Sequence, residues 1–231
     1  MNADFVTSHL TGIITAIGGL GTAAFGLLEA CKPVIPWIND IGFGGIRKTV
    51  SALTPGDAGA ASPLNALPQN QIFGSLLANW VNGTDLTSQK AIAKSLIKLH
   101  MNAGNAAALA AQTSVDPAVL TSVATKTAAG ASLLPPESDL FSRFDLIVTA
   151  QLDAAYQHAD QFYRNWTRGL AAAIAVVLAL AGGSIVASTW DLKHFGIALL
   201  IGLLATPLAP IAKDLSTALA TAVNTMQLVK K

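Results

Sequence analysis

The sequence predicts an all-α integral membrane protein with about three transmembrane helices and a helical cytoplasmic region. Two observations lead there. Hydrophobic residues make up 52% of the 231 and charged residues only 12%, against about a quarter charged in soluble proteins. Three apolar runs also reach the roughly 20 residues that cross a ~30 Å hydrocarbon core as a helix, with no ionisable side chain between their ends.

Residues 1–30 carry the first of these helices. Its run, Leu10 to Leu28 ("LTGIITAIGGLGTAAFGLL"), is free of charge and rich in Gly and Thr. "LLEAC" at 27–31 has some likeness to a lipoprotein cleavage site. No Lys or Arg precedes the run, however, and Glu29 stands where a small residue is wanted, so a cleaved leader is not expected.

Residues 31–137 form a helical, loop-interrupted region outside the membrane. "KPVIPW" stops the first helix, because Pro33 and Pro36 have no backbone donor. "TPGDAGAASPLNALPQN", 54–70, is a Gly/Pro/Ser-rich loop. A short helix is expected over 71–82, ending near Gly83. A longer one follows the Asp85/Thr87 cap region, with Ile92, Leu96, Leu99 and Ala103 on one face and Lys90, Lys94 and Lys98 on another. Those lysines suit anionic headgroups or an ordinary solvated face, and the solvated face is preferred. "DPAVLTSVATKTAAG" has Asp116 as N-cap, Pro117 at the first helical position and Gly130 past the end.

Residues 138–168 read as a juxtamembrane helix that continues into the second span, about 50 residues or ~75 Å in all. Asp160 and Arg164 form an i, i+4 pair on it. Residues 169–212 form a transmembrane hairpin. Its limbs are Gly169 to Trp190 and His194 to Ala212, joined by a few polar residues. Tyr163, Trp166 and Trp190 are the membrane anchors: Trp166 and Trp190 lie 24 positions apart, or ~36 Å along a helix, which suits one anchor at each interface.

In the third span Pro207 and Pro210 each remove a donor, which predicts a kink or helix end between 205 and 211. Residues 213–231 then follow as an amphipathic helix with Leu215, Leu219 and Val223 on one side.

Basic residues set the orientation. Lys32, Arg47 and Lys48 follow the first span, Arg164 and Arg168 precede the second, and Lys213, Lys230 and Lys231 follow the third, whereas the amino terminus has none. The amino terminus is therefore expected outside and the carboxyl terminus in the cytoplasm, in a bacterial inner membrane.

Ala171, Ala175, Ala179, Gly183 and Ala187 make an i, i+4 row of small residues on the second span. Gly19 and Ala23 continue from Thr15 on the first, beside a neighbouring row of Gly18, Thr22 and Gly26. The third has Ala198, Gly202 and Thr206. Such rows let helix backbones approach closely where lipid removes the hydrophobic drive. They predict a tight bundle, within one chain or between copies, and a homo-oligomer or a subunit of a larger membrane complex is expected.

The chemistry-bearing residues are sparse. A net charge of +1 lacks the footprint of a nucleic-acid binder. Cys31 stands alone, which excludes a disulfide within the chain. His9, His100, His158 and His194 are scattered; His9 and His194 share the outer interface in the expected topology, but two interfacial polar residues are preferred over a metal or pH-sensing pair. "GFGGIRK" at 42–48 lacks the P-loop pattern. No catalytic residue, metal site or cofactor is expected, and intramembrane charge of the kind that marks ion-coupled transport is missing.

From Phe144 onward the order of features resembles a group of uncharacterised bacterial membrane proteins. The shared features are Phe144 and Asp145 early in an amphipathic helix, then Phe162, Tyr163 and Arg164, then a hairpin whose second limb ends in Ala209, Pro210, Asp214 and Leu215. The three residues after the proline are usually aromatic in that group and are Ile211, Ala212 and Lys213 here. The resemblance covers roughly the last 90 residues and implies topology alone.

Two function classes follow: a non-enzymatic scaffold or anchor assembling through small-residue helix faces, and a homo-oligomeric, weakly selective channel lined by the Gly/Thr-rich first helix.

Overall fold

The computed structural model describes residues 3–56, 68–186 and 191–229, and side-chain surroundings over 12–56, 68–185 and 191–210. Trp190, Ala187, Lys230, Lys231 and most of the 54–70 loop lie outside the described residues. Among those described, all regular structure is helical. The order is α1 (Ala3–Cys31), α2 (Trp37–Asp40), α3 (Phe43–Leu53), α4 (Gln69–Val81), α5 (Leu86–His100), α6 (Ala106–Thr113), α7 (Pro117–Ala128), α8 (Pro135–Val186) and α9 (Leu192–Val229). Three of them hold segments long and apolar enough to cross a membrane: α1, α8 and α9. By contact the chain divides into two units, Trp37–Tyr163, and Met1–Pro36 with Arg164–Lys231.

In the Trp37–Tyr163 unit the caps fall where the sequence places them. The Asp85 carboxylate accepts from the Ser88 N–H, and Asp116 accepts from those of Ala118 and Val119, with Pro117 following. Each supplies partners for amides that have none in the first helical turn. Gly130, at φ 67°, ends α7 in the left-handed conformation.

The core gathers Ile46, Val50 and Leu53 of α3, Ile72 and Leu76 of α4, Ile97 of α5, Leu109 of α6 and Leu120 of α7. Phe144, Val148, Leu152 and Tyr156 of α8 complete it. At Gly42 the backbone itself fixes the residue: φ is +91°, and a Cβ would stand 2.6 Å from the Ala159 carbonyl oxygen. The Trp80 indole N–H donates to the Asn39 carbonyl at 3.1 Å just before it.

The buried face of α5 differs from the expected one. Gln89, Ala93, Ile97 and His100 are buried, with Ile92 and Leu96 packed beside the core, whereas Leu99 is 63% exposed. Ala103 lies past the helix end, because Asn102 Oδ1 accepts from Gly104 and Asn105 N–H groups and offers the chain a turn instead. The lysines of α5 are about a third exposed, and each faces a carboxylate of α8. Lys90 pairs with Asp153 at 2.5 Å, Lys94 with Asp145 at 3.2 Å, and Lys98 with Asp145.

In the other unit α1, the second part of α8, and α9 pack together. Asp191 opens α9, its Oδ1 accepting from the His194 N–H at 2.9 Å. The helix does not end between 205 and 211. It runs through Pro207 and Pro210 to Val229, so residues 213–229 continue the third span's helix. Both proline rings sit on the exposed side, while Ala205 and Ala209 one turn apart are buried. The packed face therefore keeps its helical path, and the loss is confined to two donors. A bend inside an unbroken helix is the form left for the expected kink.

Candidate functional site: a small-residue helix junction

The junction is built on alanine and glycine. Ala24 of α1, Ala175 of α8 and Ala205 of α9 form one buried cluster, flanked by Ile17, Leu20, Ile174 and Leu178. Ala171 and Ala175 from the expected row of α8 are fully buried, and Ala179 and Gly183 are half-buried on the same side. On α9, Ala198, Gly202, Ala205 and Ala209 are buried.

Two glycines permit backbone-to-backbone approach. A Cβ on Gly21 would lie 2.1 Å from the Ala205 carbonyl oxygen, and one on Gly202 would lie 2.4 Å from the Val176 Cα. Neither site admits even a methyl group without moving a helix.

On α1 the packed face is Gly18, Gly21, Ala24 and Leu28, while Gly19 and Ala23 are exposed. The two sets lie on opposite sides of the helix, and α1 turns the side with Gly21 and Ala24 toward α9. Gly21 was legible only as part of a glycine-rich stretch. The exposed side of α1 carries Gly19, Thr22, Ala23 and Gly26, with nothing within 4 Å of a Cβ on Gly19 or Gly26. The Thr22 hydroxyl donates to the Gly18 carbonyl of its own helix at 3.0 Å.

Large apolar side chains point away from the junction. Val177 is 64% exposed, Ile185 84% and Leu200 59%, and Ile13, Leu203 and Leu204 are exposed as well. Of the expected anchors, Trp166 is exposed. Tyr163 is half-buried and meets Trp80 edge-on, the ring centroids 6.0 Å apart.

The ionisable groups in Trp37–Tyr163 are mostly engaged in holding helices. Burial alone would raise the Asp145 carboxyl, but hydrogen bonds and charge from Lys98 and Lys94 outweigh it and hold the group below its ordinary value. Glu137 takes Lys126, the Leu134 N–H and the Ser122 hydroxyl, and is held down to about 2. Burial pushes the Tyr156 hydroxyl up to about 12, and it has no hydrogen-bond partner among the described residues. His100 Nε2 meets the Pro55 carbonyl at 3.1 Å, and His158 is exposed. His194 contacts Asp191 at 2.7 Å; the side chain of His9 lies outside the described residues. Among the described residues no three His, Cys, Asp or Glu side chains gather in metal-binding distance. In comparisons with known proteins, no family model, curated protein or solved structure matches this chain.

Proposed function

We propose that the chain is a non-enzymatic integral membrane protein, a structural or scaffold subunit whose α1, α8 and α9 pack in the bilayer through small residues. One observation carries this reading: the junction buries Ala and Gly at its centre while Val177, Ile185, Leu200, Leu203 and Leu204 are exposed. Water penalises that arrangement, whereas lipid tails accept it and leave close van der Waals packing to hold the helices. The membrane is a bacterial inner membrane, with the amino terminus outside and the helical Trp37–Tyr163 unit in the cytoplasm as the docking surface. Its partners are the bilayer and further copies or subunits of a membrane complex, not nucleic acid.

The test is retention in membranes after alkaline carbonate washing, together with labelling of single cysteines in a Cys31→Ser background. Cysteine at Ser8 should react with an impermeant reagent from outside, and cysteine at Ser88 only after the membrane is opened. Release by carbonate would sink the membrane reading; the reverse labelling would sink the orientation.

A second reading, a homo-oligomeric weakly selective channel, draws support from the exposed Gly19, Thr22, Ala23 and Gly26 side of α1. Planar-bilayer recording of the purified protein separates the two. A steady current altered by Thr22→Leu establishes the channel, and a sealed, stable oligomer leaves the scaffold.

A further inference from the structure

Between α3 and α4 lies a groove of about 370 Å³. Phe43, Phe73 and Leu77 give it an apolar floor. The Arg47 guanidinium lies over the Phe73 ring, 5.1 Å from its centroid. A guanidinium stacked by one face keeps its N–H edge available to a carboxylate or phosphate.

Among the described residues, the charges in this groove take no part in the ion pairs that hold the helices of the unit. Lys90, Lys94, Lys98 and Lys126 each contact a carboxylate. Among the described residues Arg47 has no carboxylate partner, and Asp40, in the same groove, has no cationic one. Asn70 at the groove gives its Oδ1 to the Gln71 N–H, which leaves its amide NH2 for a ligand.

Glycine keeps the groove open. Gly44 and Gly74 line it, one from each helix, and a Cβ on either would meet nothing within 4 Å. Gly74 sits in the middle of α4, where glycine is a poor helix former, and no close approach requires it. What its missing side chain provides is space.

We propose that this groove binds a small zwitterion with an apolar body. Arg47 holds a carboxylate or phosphate, Asp40 holds an ammonium group, and the body rests on Phe43, Phe73 and Leu77. A free apolar amino acid and an ethanolamine phospholipid headgroup share that chemistry. The groove lies wholly within Trp37–Tyr163, so the assignment stands apart from the lipid reading of the other unit.

Calorimetric titration of the full chain in maltoside micelles, referenced to micelles alone, tests it with two probes, L-phenylalanine and dihexanoyl phosphatidylethanolamine. Saturable one-to-one binding of at least one is expected, and which one binds identifies the source. Affinity should fall tenfold or more for the ammonium-free counterparts, 3-phenylpropanoate and dihexanoyl phosphatidylglycerol. Arg47→Gln and Gly74→Leu should each abolish binding. Gly74→Leu enters open space, so its helix content and melting temperature should be unchanged or higher, which separates blockage from misfolding. No binding of either zwitterion, equal binding of the ammonium-free compounds, or binding that survives both substitutions overturns the assignment.

Discussion

In each of the two stretches of α8 the buried side chains recur at helical spacing, but their sizes differ. Phe144, Val148, Leu152 and Tyr156 are buried in the Trp37–Tyr163 core, and Ala159 takes the stripe on; farther along, Ala171 and Ala175 are buried at the same four-residue spacing. The periodicity is that of any helix with one covered face. What differs is the side on which the large residues lie. In the first stretch Phe144, Val148, Leu152 and Tyr156 are inside, and each such side chain contributes about 1.5–3 kcal/mol when removed from water. In the second stretch Val177 and Ile185 are outside, and the covered positions are nearly as small as side chains can be. Helix periodicity therefore locates a packed face, and the size of the residues on it distinguishes the two stretches.

The largest expected effect tests the Trp37–Tyr163 core. Phe144→Ala empties a fully buried position and should destabilise the Trp37–Tyr163 unit by about 3–5 kcal/mol, the transfer and cavity cost of a core phenylalanine. Leu200→Ala, at a residue 59% exposed, should fall within about 0.5 kcal/mol in detergent. Urea unfolding of the first and detergent-denaturation of the second give the two numbers. Equal costs would remove the contrast between the halves.

Next comes the tight junction. Gly21→Ala places a methyl 2.1 Å from the Ala205 carbonyl oxygen, and rigid backbone has to move to admit it. A loss of about 1–3 kcal/mol is expected. At Gly19, two positions away, nothing lies within 4 Å, and Gly19→Ala should be neutral or gain up to ~1 kcal/mol from helix propensity. Opposite signs at these two glycines are the sharpest sign of the packed face; a larger loss at Gly19 would instead place a second copy on that side.

How much of this could be read beforehand depends on which principle governs each element. The caps at Asp85 and Asp116 and the unbroken run of α8 from Pro135 follow from local chemistry, and local chemistry is written in the sequence. The Ala171 and Ala175 row was legible because no competing row of small residues flanks it. On α1 two rows of Gly, Thr and Ala run side by side, Gly21 and Ala24 belong to neither, and only the partner helix decides that they are used.

The same holds for α5, where Leu99 fits an apolar face by spacing yet is exposed. The helix is turned so that Lys90, Lys94 and Lys98 reach Asp153 and Asp145 about 50 to 60 residues later in the chain, and no local pattern announces that pairing. The continuity of α9 was misjudged for a related reason: proline's cost is local, but the packing of Ala205 and Ala209 that maintains the path is not.

A smaller effect is expected from that ion-pair ladder. Asp145 faces two lysines, with about a quarter of its side chain exposed. Asp145→Asn should cost about 1 kcal/mol, because partly screened pairs of this kind contribute little net. A double-mutant cycle with Lys98→Gln measures the coupling, and high salt should reduce it. Coupling unchanged between low and 1 M salt would mean that the ladder is better shielded than its exposure implies.

The smallest expected effect is a pH dependence centred on Glu137. Its carboxyl is held down to about 2 from an ordinary 4.5, first by Lys126, then by the Leu134 N–H and the Ser122 hydroxyl. A carboxyl depressed in the folded state stabilises fully above the unfolded value, and that stabilisation fades as pH falls, because the unfolded chain takes up the proton first. The window is therefore pH 4.5 down to 2. Asp145 and Asp85 are lowered as well, so the wild-type melting temperature should fall across this window with several groups contributing. Glu137→Gln should lower the melting temperature above pH 5, where the carboxylate stabilises fully, and reduce the steepness of the fall below it. Lys126→Gln should reduce that steepness less, since the Leu134 and Ser122 donors remain on the carboxylate. If both variants keep the wild-type slope, the contacts at the start of α8 do not discriminate between the charged and neutral carboxyl, and the acid sensitivity belongs to the lysine ladder alone.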